Sequence, residues 1–141
     1  MTAKEFQTGH VIAIRLERGE EIVASVLNAA KQYNIQAGVV SGIGAVSDAV
    51  VALFDPADRQ YYKNEFHEPL EVSHLSGNLS RMNGEPYTHL HITLARSNGQ
   101  ALGGHLSSAM IGGTAEIFIQ LLPEAIERKY SEQDGLNLMS F

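Results

Sequence analysis

One stretch of the chain, residues 20–33, carries the clear periodicity of an amphipathic helix. Its apolar side chains stand at positions 22, 23, 26, 27, 30 and 33, which recur at the helical period and mark one buried face. Glu20 and Glu21 at its start and Lys31 near its end suit the helix dipole. The pattern after Asn34 is different, so a single early helix must be accommodated in a fold made mainly of strands.

The other apolar segments are short runs rich in Val, Ile and Leu that are separated by Gly, Pro and Asp, as is typical of strands. They cover residues 10–16, 37–40, 46–54, 61–66, 70–75, 87–95, 101–106 and 115–122. A helix could begin at Pro123, but the turn-forming residues 131–135 and the alternation of Leu136 and Leu138 favour a terminal hairpin. The pattern predicts one α/β (α+β) domain with a mixed, largely antiparallel sheet.

Composition excludes several classes of protein. The chain has no cysteine, so it has no disulfide, thiolate zinc site, iron–sulfur cluster or cysteine nucleophile. The first residues lack the apolar run of a signal peptide, and the longest apolar run, residues 49–54, is too short to span a membrane. We therefore expect a cytoplasmic protein with no membrane partner.

The charge distribution disfavours nucleic-acid binding. Ten Lys and Arg stand against 16 Asp and Glu, for a net charge of −6, and only Arg128 and Lys129 are adjacent cations. Such a chain repels the phosphate backbone unless the fold gathers its cations on one face. We expect weak DNA binding by the isolated chain.

The strongest chemical signal is a pair of histidines, His89 and His91, in a strand-like run. Side chains alternate along a strand, so both imidazoles leave the same face, with their α-carbons about 7 Å apart. That spacing suits two ligands of one metal ion. The alternative is a set of polar histidines on a half-exposed sheet face.

The register of the next hairpin decides whether His105 joins the pair. Asn98-Gly99 signals a tight turn, and a two-residue loop there would turn His105 to the opposite face. A three-residue loop, or a bulge at Gly103-Gly104, would set His105 directly opposite His91. In that register three imidazole nitrogens converge and leave a fourth position open, which describes a zinc-type site.

The other histidines have simpler interpretations. His74 shares the alternating register of Leu70 and Val72, which predicts a buried, hydrogen-bonded side chain. His67, beside Pro69, is predicted to lie in solvent.

Three charged residues, Glu71, Glu116 and Arg96, are candidates for acid–base or binding roles near the histidines. Charged residues in strands usually form the solvated face, so no catalytic residue is assigned. Gly42-Ile43-Gly44 lacks the third glycine and the following helix of a dinucleotide-binding loop, which favours a glycine turn between strands.

Three groups of residues in this order resemble the PPC (plants and prokaryotes conserved) domain family in its stand-alone prokaryotic form. They are residues 37–46 with Ser41-Gly42-Ile43-Gly44, residues 70–78 with Leu75-Ser76-Gly77-Asn78, and His89-Leu90-His91 followed by Gly103-Gly104-His105. The resemblance covers about residues 8–141, so we expect a single PPC-like domain over residues 1–141. It implies a sheet that wraps one main helix, a homotrimer, and zinc held by His89, His91 and His105.

The resemblance also leaves two functions to consider. The family is often described as DNA-binding because its plant members carry an AT-hook, which this sequence lacks; its fold is shared by acetolactate decarboxylase, which is similar in its zinc-binding histidines. We expect a homotrimeric zinc-binding module with a regulatory or interaction role and room for a small-molecule ligand at the metal. The alternative is a zinc-dependent lyase or hydrolase of a small oxyacid, in which Glu71 or Glu116 would move a proton.

Overall fold

The computed structural model describes residues 1–6 and 10–141, and it describes side chains for Met1 and for residues 10–141. The elements in chain order are β1 (Thr2–Phe6), β2 (Val11–Glu17), α1 (Ile22–Gln32), β3 (Gly38–Asp55), β4 (Gln60–Met82), β5 (Glu85–Ala95), β6 (Ala101–Leu121), β7 (Glu127–Ser131) and β8 (Leu136–Ser140). One helix and a mostly antiparallel sheet confirm the predicted fold class. The predicted start of the domain core, at about residue 8, lies outside the described residues.

The eight strands form one sheet. Four of them make a closed cycle of antiparallel pairs, in which β3 pairs with β4, β4 with β5, β5 with β6, and β6 with β3. β2 pairs with residues 114–120 of β6, on the same edge as β5 but farther along the strand, and β1 pairs with β2. The terminal hairpin of β7 and β8 is attached to β4 through one parallel bridge. This hairpin confirms the sequence interpretation of residues 123–141.

Three strands are longer than the sequence pattern predicts. The predicted runs 37–40 and 46–54 lie almost wholly in the single strand β3, and 61–66 and 70–75 both belong to β4. The runs 101–106 and 115–122 both belong to β6, except for Leu122, which follows its end. The predicted breaks are wrong because the strands shift register instead of ending, as between Gly42 and Gly44 and between Val46 and Asp48. A bulge bends a strand and increases its twist while pairing continues on either side.

α1 is held at its start by Glu21. The Glu21 carboxylate accepts hydrogen bonds from the backbone N–H groups of Val23 at 3.0 Å and Ala24 at 2.6 Å, which caps the helix. It also accepts the N–H of Ala109 in β6 at 2.9 Å, so the same carboxylate joins the helix to the sheet. The buried face of the helix consists of Ile22, Ser25, Val26, Ala29 and Ala30.

The core is completed by the inward side chains of the strands. Leu90 in β5 is 1% exposed, and burying a side chain of this kind stabilises the fold by about 1.5–3 kcal/mol. Because strand side chains alternate, the burial of Leu90 turns its neighbours His89 and His91 to the outer face. The other large, fully buried side chains of the strands include Ile12, Ile14, Leu16, Leu75, Leu79, Leu94, Ile111, Ile117 and Ile119.

Across residues 1–6 and 10–141, no helix combines the length and the apolar character that crossing a membrane would require.

Candidate metal centre

The structure brings together the three histidines that the sequence singled out. His89 and His91 project from β5 and His105 from β6, and one ring nitrogen of each lies within 4.8 Å of those of the other two. The centroid of the His89 ring lies 5.3 Å from the centroids of both the His91 and the His105 rings. The centroids of the His91 and His105 rings are 5.6 Å apart. Three imidazole nitrogens so close together form a donor set that suits a zinc-type ion, with further positions left open.

The β5–β6 loop sets this register. Ala95 pairs with Ala101, and the pairing continues without a shift until His91 stands opposite His105. The Arg96 N–H donates to the Gln100 carbonyl at 2.9 Å, which leaves a three-residue loop with Gly99 in the left-handed region at φ +81°. Of the two predicted routes to this register, the three-residue loop is therefore the one used, and no bulge separates the loop from His105.

A glycine in β4 permits the close packing behind the histidines. A Cβ atom added at Gly77 would lie 2.0 Å from the backbone oxygen of His89, a distance that no side chain tolerates. Gly77 pairs with Leu90, and its neighbour Asn78 pairs with His89. The Leu75–Asn78 motif thus holds β4 against the backbone of β5, the strand that carries His89 and His91.

The electrostatics keep two of the rings neutral. Partial burial lowers the pKa of His89, and the charges of Arg128 and His91 lower it further. Burial also lowers the pKa of His105, with His89 and His91 as smaller causes. A ligand imidazole must be neutral to donate its lone pair, so these directions favour metal binding at neutral pH.

A cavity of about 280 Å³ adjoins the triad. His89 and His105 form part of its wall, and the ring centroid of Tyr61 lies 5.3 Å from that of His105. Among the described residues that line it there is no carboxylate. The remaining lining residues are Tyr87, Tyr130, Gly135, Leu136, Asn137 and Leu138.

Arg128 fastens the terminal hairpin beside this cavity. It is buried, and its guanidinium donates to Ser80 Oγ at 2.8 Å, Asn78 Oδ1 at 2.8 Å and the Asn137 backbone oxygen at 2.6 Å. Its Cζ atom also lies 5.0 Å from the ring centroid of Tyr87. Within the described part of the chain, Arg128 makes no ion pair, so an uncompensated positive charge stands beside the histidine cavity.

The structure does not bring the predicted acid–base candidates to the histidines. Glu71 pairs with Ala95, which is four residues along β5 from His91, the nearer of the two β5 histidines, and therefore roughly 13 Å away along the strand. Glu116 lies eleven residues from His105 along β6 and shares a separate cavity with Glu71.

Arg96 is occupied elsewhere. Its guanidinium contacts Glu68 Oε1 at 2.9 Å and 2.8 Å and donates to Gln100 at 2.9 Å. Within one chain, none of the three candidates that the sequence left open lies beside the histidines, because the long strands carry them away from the triad.

The interpretation of His74 is also wrong. The pairing of β4 with β5 shifts between Val72 and His74, so Ser73 is the additional residue of a bulge and His74 turns to solvent. His67 is exposed as predicted. Its Nδ1 lies 2.9 Å from Asp48 Oδ1, and this contact raises the pKa of His67.

Three residues near the triad were missed by the sequence interpretation: Tyr61, Tyr87 and Arg128. Tyr87 could have been found, because it stands two residues before His89 and period-two alternation places it on the same face. Tyr61 and Arg128 are distant in sequence, and only the pairing of β4 with its neighbours brings them to the site.

Comparisons with a family sequence pattern and with solved structures find relatives that match most or all of this chain. The sequence pattern of the Plants and Prokaryotes Conserved (PCC) domain matches residues 3–123. A "putative DNA-binding protein" from Bacteroides thetaiotaomicron is 35% identical with a TM-score of 0.95, covering 99% of this chain and 96% of that one. A metal-containing protein from Archaeoglobus fulgidus is 37% identical with a TM-score of 0.88, and 100% of each chain is covered.

Two further similarities concern longer proteins. A bifunctional protein GlmU from Synechococcus sp. (strain JA-2-3B'a(2-13)) is 34% identical over 125 residues, or 87% of this chain. The chain spans only 18% of the length of the curated GlmU relatives that it matches. The α-acetolactate decarboxylase of Bacillus subtilis strain 168 is 9% identical with a TM-score of 0.57, over 86% of this chain and 57% of that one, which confirms the predicted likeness in fold.

Proposed function

Since the chain belongs to the Plants and Prokaryotes Conserved (PCC) domain family, as its motifs predicted, we propose that it is a homotrimeric zinc-binding module with a regulatory or interaction role. The observation that carries the proposal is the convergence of the ring nitrogens of His89, His91 and His105 within 4.8 Å. These three side chains would hold the ion. A bound zinc ion would supply a Lewis-acidic position that is open to one further ligand.

The donor set favours zinc over harder cations. Magnesium and calcium prefer oxygen ligands, whereas neutral imidazoles suit zinc and its transition-metal neighbours. The lowered pKa values of His89 and His105 keep these donors unprotonated at neutral pH. The similarity to the metal-containing protein of Archaeoglobus fulgidus supports a metal ion in this chain, whatever its identity.

Two observations support a module rather than a lyase or hydrolase. No carboxylate among the described residues lines the histidine cavity, so neither Glu71 nor Glu116, the proton carriers of the enzyme alternative, is at hand there. A similar segment also makes up only 18% of the much longer GlmU relatives, as expected of a unit that can be joined to other domains.

An exposed apolar surface supports self-association. Val39, Ile43 and Phe118 lie on the outer face of β3 and β6, and 48%, 57% and 47% of their surfaces are exposed. Contiguous apolar groups on a sheet face are typical of contact surfaces between subunits. Light scattering should give a mass near three times the 15.3 kDa chain, and Phe118→Asp should lower it. A wild-type mass near 15.3 kDa at micromolar concentration would contradict the trimer.

Metal content tests the central claim. The purified protein should contain about one zinc ion per chain by inductively coupled plasma mass spectrometry. The His91→Ala variant should lose most of this zinc, because two imidazoles rarely retain the ion. His74→Ala, which removes an exposed histidine of β4, is the matched control and should retain the ion. Stoichiometric zinc in a variant with all three histidines replaced would place the ion elsewhere.

A further inference from the structure

The cavity beside the triad combines three features that the metal alone does not require. It is bounded by tyrosine rings and by Leu136 and Leu138, and it contains no carboxylate among its described lining residues. The buried charge of Arg128 lies behind its wall, in contact with the lining residues Tyr87 and Asn137. We propose, on the basis of the proposed function, that this cavity binds a small monocarboxylate, which Tyr61 and Tyr87 hold by hydrogen bonds at the open position of the metal.

The charge balance calls for an anion. All three hydrogen-bond acceptors of the Arg128 guanidinium are neutral oxygens, from Ser80, Asn78 and the Asn137 backbone. A buried guanidinium without a counter-ion is costly, and an anion nearby offsets part of that cost. A metal ion held by the histidines would attract the same ligand.

The phenol groups provide directed donors. The Asn137 side-chain amide donates to Tyr87 Oη at 3.3 Å, so the Tyr87 hydroxyl hydrogen is available to another acceptor. Tyr61 lines the same cavity beside His105, and within the described residues its hydroxyl makes no hydrogen bond. Two O–H donors on the wall suit the two oxygens of a carboxylate.

The size and the walls limit the rest of the ligand. A volume of about 280 Å³ is at the small end of ligand cavities, so a body of a few carbon atoms fills it. Leucine side chains and aromatic ring faces favour an apolar body over a fully hydrated inorganic anion. The hairpin β7–β8, which lies beyond the matched residues 3–123, supplies much of this wall and therefore sets the permitted size.

The test is a calorimetric titration of the metal-loaded full chain with sodium isobutyrate, with isobutyramide and inorganic phosphate as comparison ligands. Isobutyrate should bind at least about tenfold more tightly than its neutral amide, because only the anion meets the charge of the site. Tyr61→Phe and Tyr87→Phe should each weaken isobutyrate about tenfold, the loss expected for a hydrogen bond to a charged group. Tyr62→Phe, a neighbour of Tyr61 whose hydroxyl bonds to Asp58, is the matched control and should leave the affinity unchanged.

Metal content measured on the same samples separates the two proposals. If all variants retain about one ion per chain but isobutyrate does not bind, or binds no better than isobutyramide, the ligand inference is wrong and the metal proposal stands. Tighter binding of phosphate, unaffected by either phenylalanine substitution, would also overturn the inference. A wild-type protein without metal would instead refute the proposed function on which the inference rests.

Discussion

Replacing Arg128 with methionine perturbs the one buried cation of the described structure. Methionine keeps most of the side-chain length and apolar volume but removes every donor. The substitution abolishes three hydrogen bonds of 2.6–2.8 Å, which join β7 to Ser80 and Asn78 in β4 and to the Asn137 backbone in β8. It also removes the contact of the guanidinium with the ring of Tyr87.

The magnitude is set by two opposing contributions. Each hydrogen bond from a charged donor is worth about 1.5–3 kcal/mol, so the three together contribute about 5–9 kcal/mol. Burying a guanidinium without a carboxylate costs several kcal/mol, and methionine is spared this desolvation. Because water can reach the partly buried acceptors of Asn78 and Asn137, their penalty stays small. We expect a net loss of about 2–4 kcal/mol in the free energy of unfolding.

Urea unfolding followed by circular dichroism measures this loss, with all variants compared at one protomer concentration because association contributes to stability. Arg15→Met is the control, since among the side chains that the structure describes Arg15 forms only an exposed pair with Glu17, and the substitution should change stability by less than about 1 kcal/mol. Arg128→Lys keeps the charge but not the planar fork, so it should be as destabilised as Arg128→Met. A loss below about 1 kcal/mol in Arg128→Met would show that desolvation outweighs the hydrogen bonds and that other contacts hold the hairpin.

Three further predictions concern the site and its surroundings. Zinc affinity, measured by equilibrium dialysis, should be constant near pH 7 and fall below about pH 6, because the pKa values of His89 and His105 are lowered and protons compete with the metal only as the pH approaches those values. An affinity that is flat down to pH 5 would contradict this. For the same two histidines, the metal-free protein should lose stability as the pH falls below about 6.5, because the unfolded chain then binds more protons than the folded one. Gly77→Ala should destabilise the fold by about 3 kcal/mol in thermal unfolding and reduce the zinc content, because its Cβ would meet the His89 backbone oxygen, whereas Gly113→Ala has ordinary contacts and should be tolerated. Duplex DNA should bind with a Kd of about 10⁻⁴ M or weaker in fluorescence anisotropy at physiological salt, because the chain carries −6 and the Arg96 guanidinium is paired with Glu68; submicromolar, salt-sensitive binding would reveal a basic face.

Much of the local structure could be predicted because it depends on short periodicities. The helical spacing of apolar residues located α1, which begins at Ile22 and ends at Gln32. Strand alternation placed His89 and His91 on one face, and the turn residues 131–135 located the terminal hairpin between β7 and β8. These features involve residues within a few positions of one another, so the sequence contains all that determines them.

Pairing and register were decided only by the tertiary structure. The sequence left two loop lengths open. Only the strand pairing shows that the three-residue loop, which sets His105 opposite His91, is the one used. In the sequence, His74 continues the alternation of Leu70 and Val72, which would turn it inward. The bulge at Ser73 reverses its orientation, so it faces solvent.

The wall of the cavity shows the same division more clearly. Tyr61 reaches His105, and Arg128 reaches Asn78, across long stretches of chain because β4 pairs with β3, β5 and β7. By itself the sequence determined the single helix, the strand-rich fold class and the chemical identity of three histidine donors. Only the closed cycle of strand pairs decided which charges and phenol groups stand beside them, since a shift of one residue in any pairing moves every side chain of that strand to the opposite face.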